Sequence, residues 1–121
     1  MRDVLAYTAA GIIFLWGVFH IVPTAQVIAW LRPASRDSRL VIAQEWIAES
    51  ITFWGVAALI VATTAARSSS IQWVYGIIAA LLASLAVLTG LTGARTPSVW
   101  FKVCLPVLAT AIALLVAASL A

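Results

Sequence analysis

Charge is nearly missing from this chain. Of its 121 residues, 7 are Lys or Arg and 4 are Asp or Glu, against a hydrophobic share of 64% and a mean hydropathy of +1.12. Soluble domains are about a quarter charged. So few charges could not coat a water-soluble fold, and the bilayer is the expected solvent. Cysteine occurs once, as Cys104. That excludes an intrachain disulfide, a CxxC redox pair and a cysteine-built zinc site, and Cys104 reads as a small packed hydrophobe. No pattern for nucleotide, haem or flavin occurs, so no cofactor is expected. The net charge of +3 calls for no nucleic-acid partner, because basic residues gathered in short loops are what membrane orientation requires. Long linkers and internal repeats are also missing, which leaves one domain over residues 1–121.

What is there is four long apolar runs: Val4 to Val22, Val41 to Ala66, Ile71 to Gly90 and Val99 to Leu120. Each reaches the roughly 20 residues that cross a bilayer as a helix. Backbone groups in lipid must be satisfied within the segment, and the alternation of a membrane β-barrel does not occur. The expected fold is an all-α bundle of four transmembrane helices. The first run has no strong basic flank or small-x-small cleavage site, so it reads as a mature helix rather than a signal peptide. After Pro23, residues 24–31 are expected to lie in the interface with Trp30 as an anchor, and Arg32 to Arg39 to form a polar loop. "RSSS" at 67–70 and "LTGARTPS" at 91–98 read as turns, with Ser70 and Thr96 as helix starts. Ala109, Ala113 and Ala117, with Ala79 and Ala83, are expected to be packing ridges. Pro106 is expected to free a carbonyl one turn earlier.

Arg32, Arg36, Arg39, Arg95 and Lys102 fall on one side of such a bundle, and only Arg2 and Arg67 on the other. Cations favour the cytoplasmic side. Both termini are therefore expected outside the cytoplasm, in a bacterial inner membrane.

The few polar residues inside the runs raise the functional question. His20 is the only histidine, and Glu45 and Glu49 are the only glutamates. On a helical wheel with Glu45 at 0°, Glu49 falls at about 40°, Thr52 at about 340°, and Val56, Leu59 and Thr63 nearby. Trp46 and Phe53 flank this stripe and Trp54 lies opposite. The stripe is expected to face the bundle and meet His20, which shares a face with Trp16, in a cluster rimmed by Trp16, Trp46 and Trp100.

An acid near a helix centre costs about 2.5–3.5 kcal/mol to insert. Glu45 is shallow enough to reach Arg39 or Lys102; Glu49 is ~6 Å deeper by helical rise. Carboxylates at i and i+4 repel when both are ionised, so a neutral acid beside an ionised one, with an imidazole near, is expected. Acid–base chemistry uses that arrangement. A protonated glutamate that only glues helices, and a proton or ion pathway, are the competing readings. One histidine and two adjacent acids are too few for a closed metal site. The tryptophans divide likewise. Trp30, Trp73 and Trp100 fit an interfacial belt. Trp16, Trp46 and Trp54 are either core or an aromatic wall able to stabilise a cation.

"GVFHIVP", ending the first run, and "TPSVWFKVCLP", opening the fourth, resemble stretches of small bacterial four-helix membrane proteins of the DoxX-like type. The resemblance implies this layout and transfers no catalytic residue. Small multidrug transporters share the length, but they place a glutamate within their first helix, where this chain has no acid after Asp3. Quinone-linked disulfide enzymes need several cysteines. Sterol isomerases use similar residue types, an analogy of chemistry alone.

The resulting expectation is a membrane enzyme that isomerises or cyclises a lipophilic, isoprenoid- or polyketide-like molecule. Glu49 would be the acid, Glu45 or His20 its partner, and Trp16, Trp46, Thr52, Phe53 and Trp100 the substrate wall. A non-enzymatic subunit or a small proton-coupled transporter is the alternative. Since four short helices enclose little volume, a homodimer with the pocket between protomers is also expected.

Overall fold

Ser35 fixes where the longest helix begins. Its hydroxyl accepts the backbone N–H of Ser38 at 3.1 Å, and Asp37 sits in the first turn, where a negative charge suits the helix dipole. In the computed structural model, which describes residues 1–32 and 35–121, the helices are α1 (Arg2–Ile21), α2 (Thr24–Leu31), α3 (Arg36–Ala65), α4 (Ile71–Leu91) and α5 (Val99–Leu120). A 3-10 turn at Gly93–Arg95 joins the last two. Four helices, α1, α3, α4 and α5, are long and apolar enough to cross a membrane. No strand occurs among the described residues. The chain is an all-α, four-helix membrane bundle.

The expected polar loop over Arg32 to Arg39 is corrected: residues from Arg36 on belong to α3, because Ser35 caps it, and Pro33 and Ala34 lie outside the described residues. At 30 residues, α3 is about 45 Å long and overruns the roughly 30 Å hydrocarbon core. Its basic first turns project beyond the hydrocarbon. Pro23, with no N–H to continue the ladder, separates α1 from α2. Ser70 does precede α4, but Thr96 does not start α5. Its hydroxyl bonds the Gly93 carbonyl at 2.6 Å, and Ser98 after Pro97 is the N-cap.

Helix α1 is the middle of the bundle, packed against α3 on one side and α5 on the other, with α4 against α5. Its buried face, Ala6, Ala9, Ala10, Ile13, Trp16, Gly17 and His20, repeats every three or four residues. The small residues bring neighbouring backbones close. At Gly17 an added Cβ would lie 2.6 Å from Trp54 Nε1 and 3.1 Å from the Ser50 carbonyl oxygen. Trp54 crosses there to donate to the Phe14 carbonyl at 3.2 Å, so it lies on the α1 side rather than facing away from the bundle. The expected alanine ridge on α5 is also corrected. Ala109, Ala113 and Ala117 are exposed, and the packed face is Cys104, Leu108, Ala111, Leu115 and Ala118. On α5, leucines and alanines alternate along that packed face. Ala79 is buried and Ala83 half-buried, as expected of α4. Helix α5 runs unbroken through Pro106.

Helices α3 and α4 meet mainly near their connecting turn, where buried Thr64 and Tyr75 share a hydrogen bond. Toward the other end they part, and the gap between them is the site described next.

Candidate functional site: an acid–imidazole pair at a lateral cleft

The separation of α3 from α4 leaves a cleft of ≈ 520 Å³. Helix α3 supplies Glu45, Trp46, Glu49, Thr52 and Phe53 to its wall; Leu85 and Leu88 of α4 and Phe101 of α5 face them. One chain therefore holds a cleft large enough for a small molecule.

The rotation of α3 decides what each acid does. Its buried face is Trp46, Ser50, Phe53, Val56, Ala57, Ile60 and Thr64, centred about 90° round from Glu45 on a 100° wheel. Trp46 and Phe53 are thus the middle of the packed face and not its flanks. The Glu45–Glu49–Thr52 stripe sits on its edge. Glu45 and Thr52 are exposed along the cleft, and the Glu49 side chain is only 33% exposed. The inward cluster of both acids with His20 is corrected accordingly: only Glu49 reaches the imidazole. Large aromatic and aliphatic side chains have taken the interface itself, which leaves the carboxyl groups at its rim.

His20 is 5% exposed and lies behind the cleft wall. Its Nε2 is 3.4 Å from Glu49 Oε2, and its Nδ1 is 3.3 Å from the Trp16 carbonyl oxygen. Aromatic rings enclose it: Trp46 stacked at 4.7 Å, Trp16 edge-on at 5.1 Å and Phe53 edge-on at 5.3 Å. Trp46 Nε1 also donates to the His20 carbonyl, an acceptor at the frayed end of α1 that Thr24 Oγ1 shares at 3.3 Å. Trp46 continues to the cleft, where its ring meets Phe101 edge-on at 5.6 Å.

The surroundings of the ring favour one tautomer. A backbone carbonyl can only accept, so the hydrogen sits on Nδ1, and a neutral imidazole then presents Nε2 as an acceptor. Nε2 and the Glu49 carboxyl face each other at 3.4 Å, a contact that one proton on either group would turn into a hydrogen bond. The Glu49 carboxyl thus has the cleft on one side and a buried ring nitrogen on the other.

Other expected members fall elsewhere. Trp16 is 5% exposed and backs His20 without lining the cleft; its Nε1 has no hydrogen-bond partner among the described residues. Trp100, expected on the rim, lines a separate groove of ≈ 260 Å³ with Val27 and Trp30 of α2. Its neighbour Phe101 occupies the rim instead, because α2 lies over the start of α5 on the Trp100 side. Among the described residues Glu45 pairs with neither Arg39 nor Lys102; the close contacts of acids with basic groups are Arg2–Asp3 and His20–Glu49. No three His, Cys, Asp or Glu side chains gather in metal-binding range among the described residues.

Sequence reasoning missed Phe101, Leu85 and Leu88. Phe101 carries a signal, since it precedes Cys104 by three residues and so lies near the packed face of α5. The α4 leucines carry none, because only the missing α3–α4 contact exposes them to the cleft. No family model, curated protein or solved structure matches the chain.

Proposed function

We propose that the chain is an integral membrane enzyme that admits a lipophilic molecule sideways from the bilayer and uses Glu49 as a general acid. One observation carries this reading: the Glu49 carboxyl lies at once on a lipid-accessible aromatic cleft and against a buried imidazole whose other nitrogen is tied to a carbonyl. Isoprenoid- or polyketide-like substrates suit a wall of Trp46, Phe53, Phe101 and leucines, and redox-neutral isomerisation or cyclisation suits the two acids. In an isomerisation, the alkene π pair takes the Glu49 proton to form a C–H bond and leaves a cation on the adjacent carbon. The Glu45 carboxylate, one helical turn away, then removes a neighbouring proton, and that C–H pair becomes the new double bond. Aromatic faces stabilise the intervening cation. His20 touches no substrate; it positions Glu49 and shares its proton. The layout resemblance to DoxX-like proteins is compatible with this reading and adds no residue to it.

The test is solvent-deuterium uptake. The reconstituted protein is incubated in deuterated buffer with a panel of polyprenyl alcohols and mono-unsaturated terpenes, and the recovered lipids are weighed by mass spectrometry. The parent is expected to place deuterium at allylic carbons and Glu49→Gln to abolish it while keeping helical content. Deuteration equal in parent and variant, or absent for every lipid, overturns the enzyme.

The same pair supports a second reading, because His20 is buried between α1 and α3 and does not reach the cleft. There the dyad is interhelical glue or a proton carrier in a subunit or small transporter. Proton flux into proteoliposomes that Glu49→Gln removes would favour it. The proposal further has both termini outside the cytoplasm of a bacterial inner membrane, a reading supported by the excess of cations at the α1–α3 and α4–α5 ends. A C-terminal alkaline phosphatase fusion is then active and a fluorescent-protein fusion dark.

A further inference from the structure

Arg32 and Arg39 have no role in the cleft, yet both border a second one. A groove of ≈ 400 Å³ lies between α2 and the start of α3, lined by Ala25, Ile28, Ala29, Arg32 and Arg39. Ala25 and Ala29, one turn apart on α2, form an apolar trough with Ile28, and Arg32 and Arg39 complete its lining. Arg39 is 26 residues from Ala65, about 39 Å by helical rise. If Ala65 marks one edge of the ~30 Å hydrocarbon, Arg39 lies at headgroup depth on the other side. Trp30, 43% exposed on α2, marks the same level.

Among the described residues no carboxylate pairs with the arginines of this groove. Of the four carboxylates, Asp3 pairs with Arg2 and Glu49 with His20. Asp37 is about 160° round α3 from Arg39, and Glu45 about 120° round and ~9 Å further along. Two arginines beside an apolar trough thus call for a counter-charge and an apolar group together. A phosphodiester attached to an acyl chain supplies both, and the planar guanidinium fork matches phosphate oxygens bidentately.

We propose that this groove binds an anionic phospholipid, with its phosphate on Arg32 and Arg39 and its glycerol and upper acyl chain along Ala25, Ile28 and Ala29. The site is independent of the acid–imidazole cleft. The bound lipid would pin α2 to the head of α3 and so hold the end of α1, where His20 sits.

Native mass spectrometry from detergent tests it, with dioleoyl phosphatidylglycerol, dioleoyl phosphatidylcholine and inorganic phosphate as probes. Interfacial attraction is worth roughly fivefold in affinity per cation, so R32Q/R39Q is expected to weaken phosphatidylglycerol binding by about 25-fold. R95Q/K102Q removes the same charge from the same side and is expected to change it less than about threefold. Ala29→Leu keeps the charges and fills the trough; it is expected to weaken the long-chain lipid and leave inorganic phosphate unaffected. Circular dichroism checks that each variant is folded, and both arginines are exposed. Equal weakening by the two double variants, phosphatidylglycerol binding that survives R32Q/R39Q, or phosphate alone binding as tightly as the lipid would each overturn the proposal.

Discussion

Replacing His20 and Glu49 by leucine, singly and together, measures the contact on which the candidate site is built. If the pair were a full ion pair, the 3.4 Å separation would give a gross Coulomb attraction of about 5 kcal/mol at an effective dielectric of 20. Desolvation of both groups opposes most of that. If one proton is shared as a hydrogen bond, the relevant scale is that of interhelical polar contacts in membrane proteins, about 0.6 kcal/mol on average and up to about 1.7. The half-open position of Glu49 and the enclosed imidazole favour the upper part of that range, so the expected coupling is ~1–1.5 kcal/mol. The Trp46 bond to the His20 carbonyl involves main chain and survives His20→Leu, so it drops out of the cycle. The assay is reversible unfolding in mixed micelles of mild detergent and dodecyl sulfate, followed by tryptophan fluorescence, to which Trp46 contributes through its stack on the imidazole. A coupling indistinguishable from zero would refute the contact. Glu49→Gln still offers an N–H to Nε2 and is expected within about 0.5 kcal/mol of the parent, so its loss of activity would be chemical.

Three other outcomes follow from the same structure. Gly17→Ala drives a methyl to within 2.6 Å of Trp54 and 3.1 Å of the Ser50 carbonyl oxygen and should destabilise by about 1–3 kcal/mol in that assay, whereas Gly11→Ala and Gly55→Ala, with nothing within 4 Å, should lie near the parent. Tyr75→Phe removes the hydroxyl that ties α4 to Thr64 and should cost about 1 kcal/mol, with faster amide exchange at the α3–α4 turn. A long-chain quaternary ammonium should bind the α3–α4 cleft and quench Trp46, and E45Q/E49Q should weaken it about tenfold relative to a neutral alcohol of equal length, since carboxylates and three aromatic rings line that wall and no cation does.

The four spans were legible because lipid leaves the backbone no choice but to close its own hydrogen bonds, and run length alone then marks each helix. Pro23 and Trp30 marked off the stretch over residues 24–31, but not that it forms a helix, α2. What composition could not supply was rotation. Helix α3 has apolar residues all round, so its polar stripe was the only visible face, and polar residues suggested the interior. The interior instead took Trp46, Phe53 and Ile60, whose dispersion contacts with α1 outweigh what a carboxyl group could gain there. The alanines of α5 misled for the same reason: spacing shows that a helix could be approached closely, and the partner decides whether it is. His20 with Glu49 survived this error because a helix end and a side chain one turn below it on a neighbour meet at the same depth for a wide range of rotations.

The rotation also explains why the pair can be used. With Glu49 at the centre of the packed face, it would be satisfied, dry and unreachable. Turned fully outward, it would lose the imidazole and face lipid unpaired at a cost of about 2.5–3.5 kcal/mol. At the edge, the carboxyl keeps one oxygen's partner inside the α1–α3 interface and presents its other side to the cleft. That position exists only because α3 and α4 join near the Thr64–Tyr75 end and part toward Leu85 and Leu88. A helix closing the gap would bury Glu49 and remove the cleft together, so the openness of the bundle and the chemistry of the acid are one structural property.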